Sequence, residues 1–374
     1  MDRETLGVFA FIVFAYASSL LITPIWFTVG TITYTYSSRI TYVNDGETEH
    51  NIVPDLRLFS LIMNTSWQRA RLDTVSGAHS LTRDVDGNPT ILFELVSMSP
   101  KGNATVSYSV TVEAKPRDPP DVDFAVSGTL HDIPEPLRRK YYEAEGSWLI
   151  DDDLQALADA IWASQGRTTN VLRIVTSLAD WIGRNIKQRS HDVPYYPNET
   201  YHLREGDCDD QANLLIALSR ILGVPAYLQV GCLRWSSESG TLWDGHITAN
   251  LKGISYHGWA MVYVPPWGWI PFDMTLGWNA FDSLSVVKFA KLWSQDALPM
   301  MNVTQSDWVG GGQVLKAQML GSSIYIRYED ALVVQDRQVF LAPLDWRMLS
   351  VVALIVSVIV ATLYLRKSHE YSYK

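Results

Sequence analysis

The chain of 374 residues carries 40 Asp and Glu against 30 Lys and Arg, a formal net charge of −10. That balance repels phosphate backbones and no basic stripe offsets it, which excludes nucleic acid as a partner. Charged residues at 19%, with 14 Trp and 18 Tyr, fit a folded domain with ample core rather than a polytopic transporter. No internal repeat, phosphate-cradling glycine loop or His/Cys cluster with metal-ligand spacing occurs, so neither a cofactor nor a metal is expected.

The chain opens on an apolar run, Leu6 to Val29, long enough to cross a hydrocarbon core of about 30 Å at about 1.5 Å per residue. Residues 1–30 are therefore expected to be a transmembrane anchor kinked at Pro24. A cleaved signal peptide with a small-residue site at Ala15-Tyr16-Ala17 is the rival, but the apolar stretch continues through Leu20, Leu21, Ile22 and Ile25, which favours a retained anchor. Thr31 to Tyr36, Ile91 to Val96 and Val106 to Val112 then alternate or run β-branched, with an Asp86-Gly87 turn signal. Residues 31–130 are expected to form a β-sandwich-like domain, and the prolines of Asp118-Pro119-Pro120-Asp121 and Ile133-Pro134-Glu135-Pro136 a linker.

A second domain, 131–290, begins with helices. Leu154 to Ala163 is ended by Gly166, and Val171 to Ile186 is capped by Asn170 with Ile174, Val175, Leu178, Trp181 and Ile182 on one face. Asp151-Asp152-Asp153 resembles a calcium site, but it precedes apolar residues at helical spacing, so capping is the expected role. The next helix bears Cys208 in Gly206-Asp207-Cys208-Asp209-Asp210-Gln211-Ala212. Asp207 is a good N-cap, and Ala212, Leu214, Leu215, Ile216, Ala217, Leu218, Ile221 and Leu222 are apolar nearly all round, so this helix is expected to be buried. Gly223 and Pro225 end it, and Ala226 to Cys232 returns as a strand. Cys208 thus lies in a first turn, where free N–H groups favour a thiolate. Asp207, Asp209 and Asp210 oppose that, leaving a neighbouring imidazolium to decide.

His257 starts an alternating run to Val264, which turns at Pro265-Pro266-Trp267-Gly268 and returns through Trp269 to Asp273. His257 and Asp273 are each eight residues from Pro265, which makes them cross-strand or diagonal neighbours in a hairpin. Thiol, imidazole and carboxylate are the three parts of a nucleophilic acyl-transfer site: base for the thiol, acceptor to fix the tautomer of the base. His246 is a competing base, although no hairpin returns an acid to it; His191 and His202 precede Cys208 in a loop. Asp273 has an alternative as a turn or cap residue before Met274-Thr275-Leu276-Gly277. Cys208 and Cys232 are the only cysteines, and a disulfide between them is the main structural alternative. Layers about 10 Å apart oppose a bridge that needs roughly 4.4 to 6.8 Å between Cα atoms.

Residues 291–345 form a weakly patterned extension in which Ser322 to Arg327 and Ala331 to Val334 are candidate strands. Met348 to Leu365 is uncharged, edged by Trp346 and Tyr364 and followed by Arg366-Lys367. That makes 346–366 a transmembrane helix and 367–374 a cytoplasmic tail. With Arg3 weakly agreeing, the expectation is a two-pass protein of the cell membrane, both termini cytoplasmic and the large central region extracytoplasmic. Four sequons, at Asn64, Asn103, Asn198 and Asn302, all fall in that central region, as exported chains of archaea or eukaryotes allow.

Arg204-x-Gly206-Asp207-Cys208-x-x-x-Ala212, Ser219 to Ala226, His257-x-Trp259 and Trp269-x-Pro271-x-Asp273 together resemble the transglutaminase-like superfamily of papain-like Cys-His-Asp thiol enzymes, here as a membrane-anchored prokaryotic, archaeal-type member. The resemblance departs at Cys232, where the residue after Gly231 is usually aromatic. It implies an α+β fold in which a Cys-bearing helix packs on an antiparallel sheet. By the same resemblance Cys208 is the nucleophile, His257 the general base and acid and Asp273 the orienting carboxylate, with Trp259 as a substrate-binding candidate. Cleavage or transfer of amide or peptide acyl groups through a thioester follows, on a protein or peptide substrate, with room for an unidentified membrane or surface protein partner. The alternative is a catalytically silent anchored binding module on the same fold.

Overall fold

The computed structural model describes residues 25–141, 146–288 and 291–343. Residues 31–336 form one compact unit. No helix among the described residues is long and apolar enough to cross a membrane. Most of the expected anchor over 1–30, and the expected helix 346–366 with its tail, lie outside the described residues. The first strand begins at Ile25, so the last residues assigned to the first anchor are extended chain.

The N-terminal strands are β1 (Ile25–Asn44), β2 (His50–Asn51), β3 (Leu58–Ser60), β4 (Gln68–Ser76), β5 (His79–Arg83), β6 (Pro89–Phe93), β7 (Ser97–Met98) and β8 (Asn103–Ala114). Strict alternation shapes β1: Ile32, Tyr34, Tyr36, Ile40 and Tyr42 are all buried, facing one side of a strand paired antiparallel to β8 with Tyr36 opposite Val110. Helices α1 (Glu135–Tyr141), α2 (Asp152–Ser164) and α3 (Val171–Asn185) follow. The aspartate run does cap: Asp151 accepts the Leu154 N–H, and Asn170 does the same for Arg173 at the head of α3. Then come β9 (Lys187–Gln188), α4 (Pro197–Leu203), β10 (Glu205–Gly206) and α5 (Cys208–Ile221). Beyond them lie β11 (Ala226–Arg234), β12 (Glu238–Leu242), β13 (Ile247–Lys252), β14 (Ile254–Val264), β15 (Gly268–Phe272), α6 (Ser285–Lys288), β16 (Ala297–Val303), α7 (Trp308–Leu320) and β17 (Ile324–Pro343).

Two sheets carry most of the unit. One has the order β12-β13-β17-β1-β8-β4, and the other, antiparallel, β15-β14-β11-β16. Three strands of the six-stranded sheet come from after residue 237, so the N-terminal β region is completed by chain from the far side of the helices. A small sheet β3-β6-β5 meets β17 where Phe59 approaches Tyr328 edge to face at 6.2 Å. The helical core lies against the second sheet: Ala212, Leu214, Leu215, Ile216, Ala217 and Leu218 of α5 are fully buried among α2, α3 and the β11, β14 and β15 side chains. A helix apolar on every face is stable only in such surroundings, since neither water nor a single neighbour could cover it.

Cys232 lies fully buried in β11 and neither cysteine is bridged. Of the sequon residues, Asn302 is in β16 with its amide oxygen accepting from Gln229 Nε2 at 2.6 Å. Truncating Leu215 to Ala should cost about 3 kcal/mol through lost burial and a residual cavity. Urea unfolding of the variant would register this as a lower midpoint at unchanged slope.

Candidate active site

α5 presents Cys208 as its first residue, with Asp207 as N-cap. The Asp210 carboxylate reaches back to the Asp207 N–H at 2.9 Å, and its other oxygen accepts from the Tyr195 N–H at 2.6 Å. The first turn of the helix is therefore tied to the loop at Tyr195; its outer side meets β14. Gly258 makes the contact possible, because a Cβ there would sit 2.8 Å from Asp209 Cβ. β15 ends at Phe272, opposite Ala260, so the β14 edge before Ala260 is not paired by that strand. The Gly258 backbone amide faces the Cys208 sulfur and favours its thiolate. The nucleophile candidate is thus held one residue along the strand from His257.

Extending the β14–β15 register by one residue would set Asp273 across from Trp259, which makes His257 its diagonal neighbour on the same face. The imidazole spans the gap: His257 Nε2 and Asp273 Oδ2 are hydrogen-bonded at 2.9 Å, and the two residues are 7% and 2% exposed. Asp273 Oδ1 accepts from the Thr275 N–H at 3.0 Å, the Thr275 hydroxyl at 2.9 Å and the Leu276 N–H at 3.1 Å. One carboxylate therefore serves both roles foreseen for it, turn cap with one oxygen and imidazole partner with the other. Burial pushes this carboxyl up, but the bond and charge of His257, with the Leu276 N–H and the Thr275 hydroxyl, outweigh burial and hold it below the usual range. With Nε2 engaged, Nδ1 is the ring nitrogen left to exchange a proton.

Trp259 is 2% exposed and lies against the imidazole, with ring centroids 6.0 Å apart and planes at 29°. Its indole N–H donates to Gln229 Oε1 at 3.1 Å. His246, the competing base, is elsewhere: its Nδ1 meets the Ile324 carbonyl at 2.8 Å and its ring stacks on Tyr325 at 4.4 Å. His202 pairs with Asp153 at 3.2 Å, and the His191 ring lies 4.1 Å from that of Tyr195.

Burial, joined by the acids beside the sulfur, prevails over the helix terminus. Burial pushes the Cys208 thiol well above its ordinary value, and Asp209 and Asp207 push it further, opposed by the Gly258 N–H. Asp207 is itself raised to about 9, by burial first and then by its hydrogen bond and charge repulsion with Asp209, so it holds a proton at neutral pH. Asp209 is then the acid that matters. Its Oδ1 lies 3.9 Å from Cys208 Sγ, and its Oδ2 accepts from Trp308 Nε1 at 2.7 Å. Ligand atoms of Asp207, Cys208 and Asp209 lie within 4.8 Å of one another. Sequence reading did not reach Trp308, 100 residues beyond Cys208, because nothing local marks it. Thr275 had a signal in the turn sequence after Asp273.

Residues 155–274 match the transglutaminase-like superfamily. None of the curated proteins compared with the chain is similar in sequence. Among solved structures the chain is similar to a candidate cysteine protease from Cytophaga hutchinsonii, at 18% identity and TM-score 0.49 over 86% of this chain and 93% of that one. It is also similar to the periplasmic domain of TgpA from Pseudomonas aeruginosa, at 12% identity and TM-score 0.31 over 70% and 90%.

Two variants probe this geometry. In the unfolded chain Asp207 ionises near 3.9 and in the folded one near 9, so between those values the folded state binds more protons and stability falls as pH rises. Asp207→Asn should remove that slope, seen as a melting temperature that declines less than the wild type's between about pH 5 and 9. Gly258→Ala should force the head of α5 away from β14 and lower the melting temperature while leaving the β region's far-UV signature in place.

Proposed function

We propose, on the match of residues 155–274 to the transglutaminase-like superfamily, that the protein is a membrane-anchored extracytoplasmic thiol enzyme that opens amide or peptide bonds. Cys208 Sγ bonds to the carbonyl carbon while its proton passes to His257 Nδ1. The C–N bond breaks, the leaving amine takes that proton, and a thioester remains on Cys208. Water, giving its proton to the same nitrogen, then releases the acid and restores the thiol. Asp273 keeps Nε2–H directed at itself and stabilises the imidazolium between the two halves. Hydrolysis is preferred over transfer to an amine because water is the default acceptor. Membrane placement rests on the uncharged run Met348 to Leu365 and the basic pair beyond it, and a protein or peptide substrate on the family resemblance.

The observation that carries this reading is the buried 2.9 Å His257–Asp273 bond, one residue from the backbone amide that meets the sulfur. A second reading, a silent binding module, draws on the raised thiol: an unligated Cys208 at neutral pH is mostly protonated. The two differ in reactivity. In the enzyme, proton transfer to the imidazole makes the thiol reactive on demand, so iodoacetamide should label Cys208 selectively over buried Cys232, and His257→Ala should slow labelling about tenfold or more. Equal labelling rates in wild type and His257→Ala would leave only the module.

A further inference from the structure

Two hydrogen-bond routes leave the site in different directions and end on the same short connection, residues 84–88. One starts at Trp259, which lies against His257. Its indole bonds Gln229 Oε1 at 3.1 Å, Gln229 Nε2 bonds Asn302 Oδ1 at 2.6 Å, and the Asn302 backbone is gripped at both groups by one side chain. Asn88 Oδ1 accepts the Asn302 N–H at 2.8 Å and Asn88 Nδ2 donates to the Asn302 carbonyl at 2.8 Å. The other route starts at Asp209, beside Cys208. Trp308 Nε1 donates to Asp209 Oδ2 at 2.7 Å, and the residues leading to Trp308 are tied to Asp86. Its Oδ1 accepts from the Thr304 N–H at 2.9 Å, the Thr304 hydroxyl at 2.7 Å and the Gln305 N–H at 2.7 Å. Its Oδ2 accepts from the Ser306 hydroxyl. Asp86 and Asn88 both belong to the connection between β5 and β6, closed internally by the Asp84 carboxylate on the Asn88 backbone and side-chain amides, each at 2.8 Å.

Nothing in a β-hairpin requires an acid at its tip to collect donors from a segment more than 200 residues away. A carboxylate with four well-placed donors is a rigid anchor, because each bond is charge-assisted and the group's position is over-determined. Burial raises the Asp86 carboxyl, but the Ser306 and Thr304 hydroxyls and the Thr304 and Gln305 amides overcome it and hold the group ionised. The segment it fixes cannot slide without moving Trp308.

We propose that Asp86 and Asn88 are positioning residues for the thiol site, acting through the 302–308 segment. Asp86 holds Trp308 on Asp209 so that the carboxylate's charge is shared with the indole rather than turned fully on the sulfur. Asn88 holds the support behind the His257 ring. This rests on the thiol-enzyme reading. The charged and titratable groups acting on the sulfur are Asp209 and the N-cap Asp207 at the head of α5 and Asp273 after β15; His257 lies one residue before Gly258 on β14, bonded to Asp273, and α7 contributes the uncharged Trp308.

The experiment is the pH profile of Cys208 alkylation by iodoacetamide in the full-length chain, followed by peptide mass spectrometry. The proteins compared are wild type, Asp86→Asn, Trp308→Phe, the double variant and His257→Ala, each first checked for a wild-type near-UV spectrum. Asp86→Asn and Trp308→Phe should each move the midpoint to higher pH by about half a unit, and the double variant should match Trp308→Phe alone, since one acts through the other. Should Asp86→Asn not fold, Ser306→Ala takes its place in the cycle, with a smaller shift in the same direction. Additive shifts, or a wild-type profile in the Asp86 variant while His257→Ala is slowed, would overturn the positioning role and leave the thiol enzyme standing. An unaltered rate in His257→Ala would instead remove the underlying reading.

Discussion

The approach of a helix start to the open edge of a strand is the constraint on which the rest of the molecule turns. α5 reaches β14 at Gly258, where a side chain would collide with Asp209, and it does so beyond the point where β15 has stopped pairing. The strand's backbone at Gly258 faces the sulfur there and favours its thiolate. Everything else holds these two elements in place: the all-apolar body of α5 fixes its depth in the core, Asp210 ties its first turn to the loop at Tyr195, and the hairpin returns Asp273 to the ring of His257.

Charge is arranged around that contact with care for the neutral thiol. Three aspartates in four residues at a helix start satisfy the helix dipole and at the same time discourage a thiolate. Their effect is moderated, since Asp207 keeps a proton, Asp210 is committed to two backbone amides and Asp209 leans on Trp308. A thiol that stays neutral until an imidazole takes its proton resists indiscriminate alkylation and oxidation, a property that suits a site proposed to work outside the reducing cytosol.

How much of this could be read from the sequence depended on range. The α5 helix, its cap and its stop were legible because Asp207, the apolar run and Gly223-Val224-Pro225 are contiguous signals. The hairpin was legible because Pro265 to Gly268 punctuates two alternating strands, and equal spacing from the turn brought His257 and Asp273 together. In the C-terminal part only the strand at Ser322 to Arg327 and Ala331 to Val334, which falls mostly in β17, was legible. α7 contains Gly310, Gly311 and Gly312, poor helix formers, and forms because Asp307 caps it and Trp308 and Val309 pack inward. β12, β13 and β17 join a sheet begun 200 residues earlier, a pairing no local pattern encodes. Trp308, Gln229 and Asn302 reach the site only through tertiary contacts, and the Asp86-Gly87 turn signal said nothing of what its carboxylate would bind.

The central proposal is that the His257 ring, bonded to Asp273 on one side, takes the Cys208 proton on the other. Carbon-edited NMR of the His257 ring in wild type and in Cys208→Ala reports that neighbourhood directly. The account predicts ring signals displaced when the sulfur is removed. Ring signals at identical positions in both proteins would contradict it.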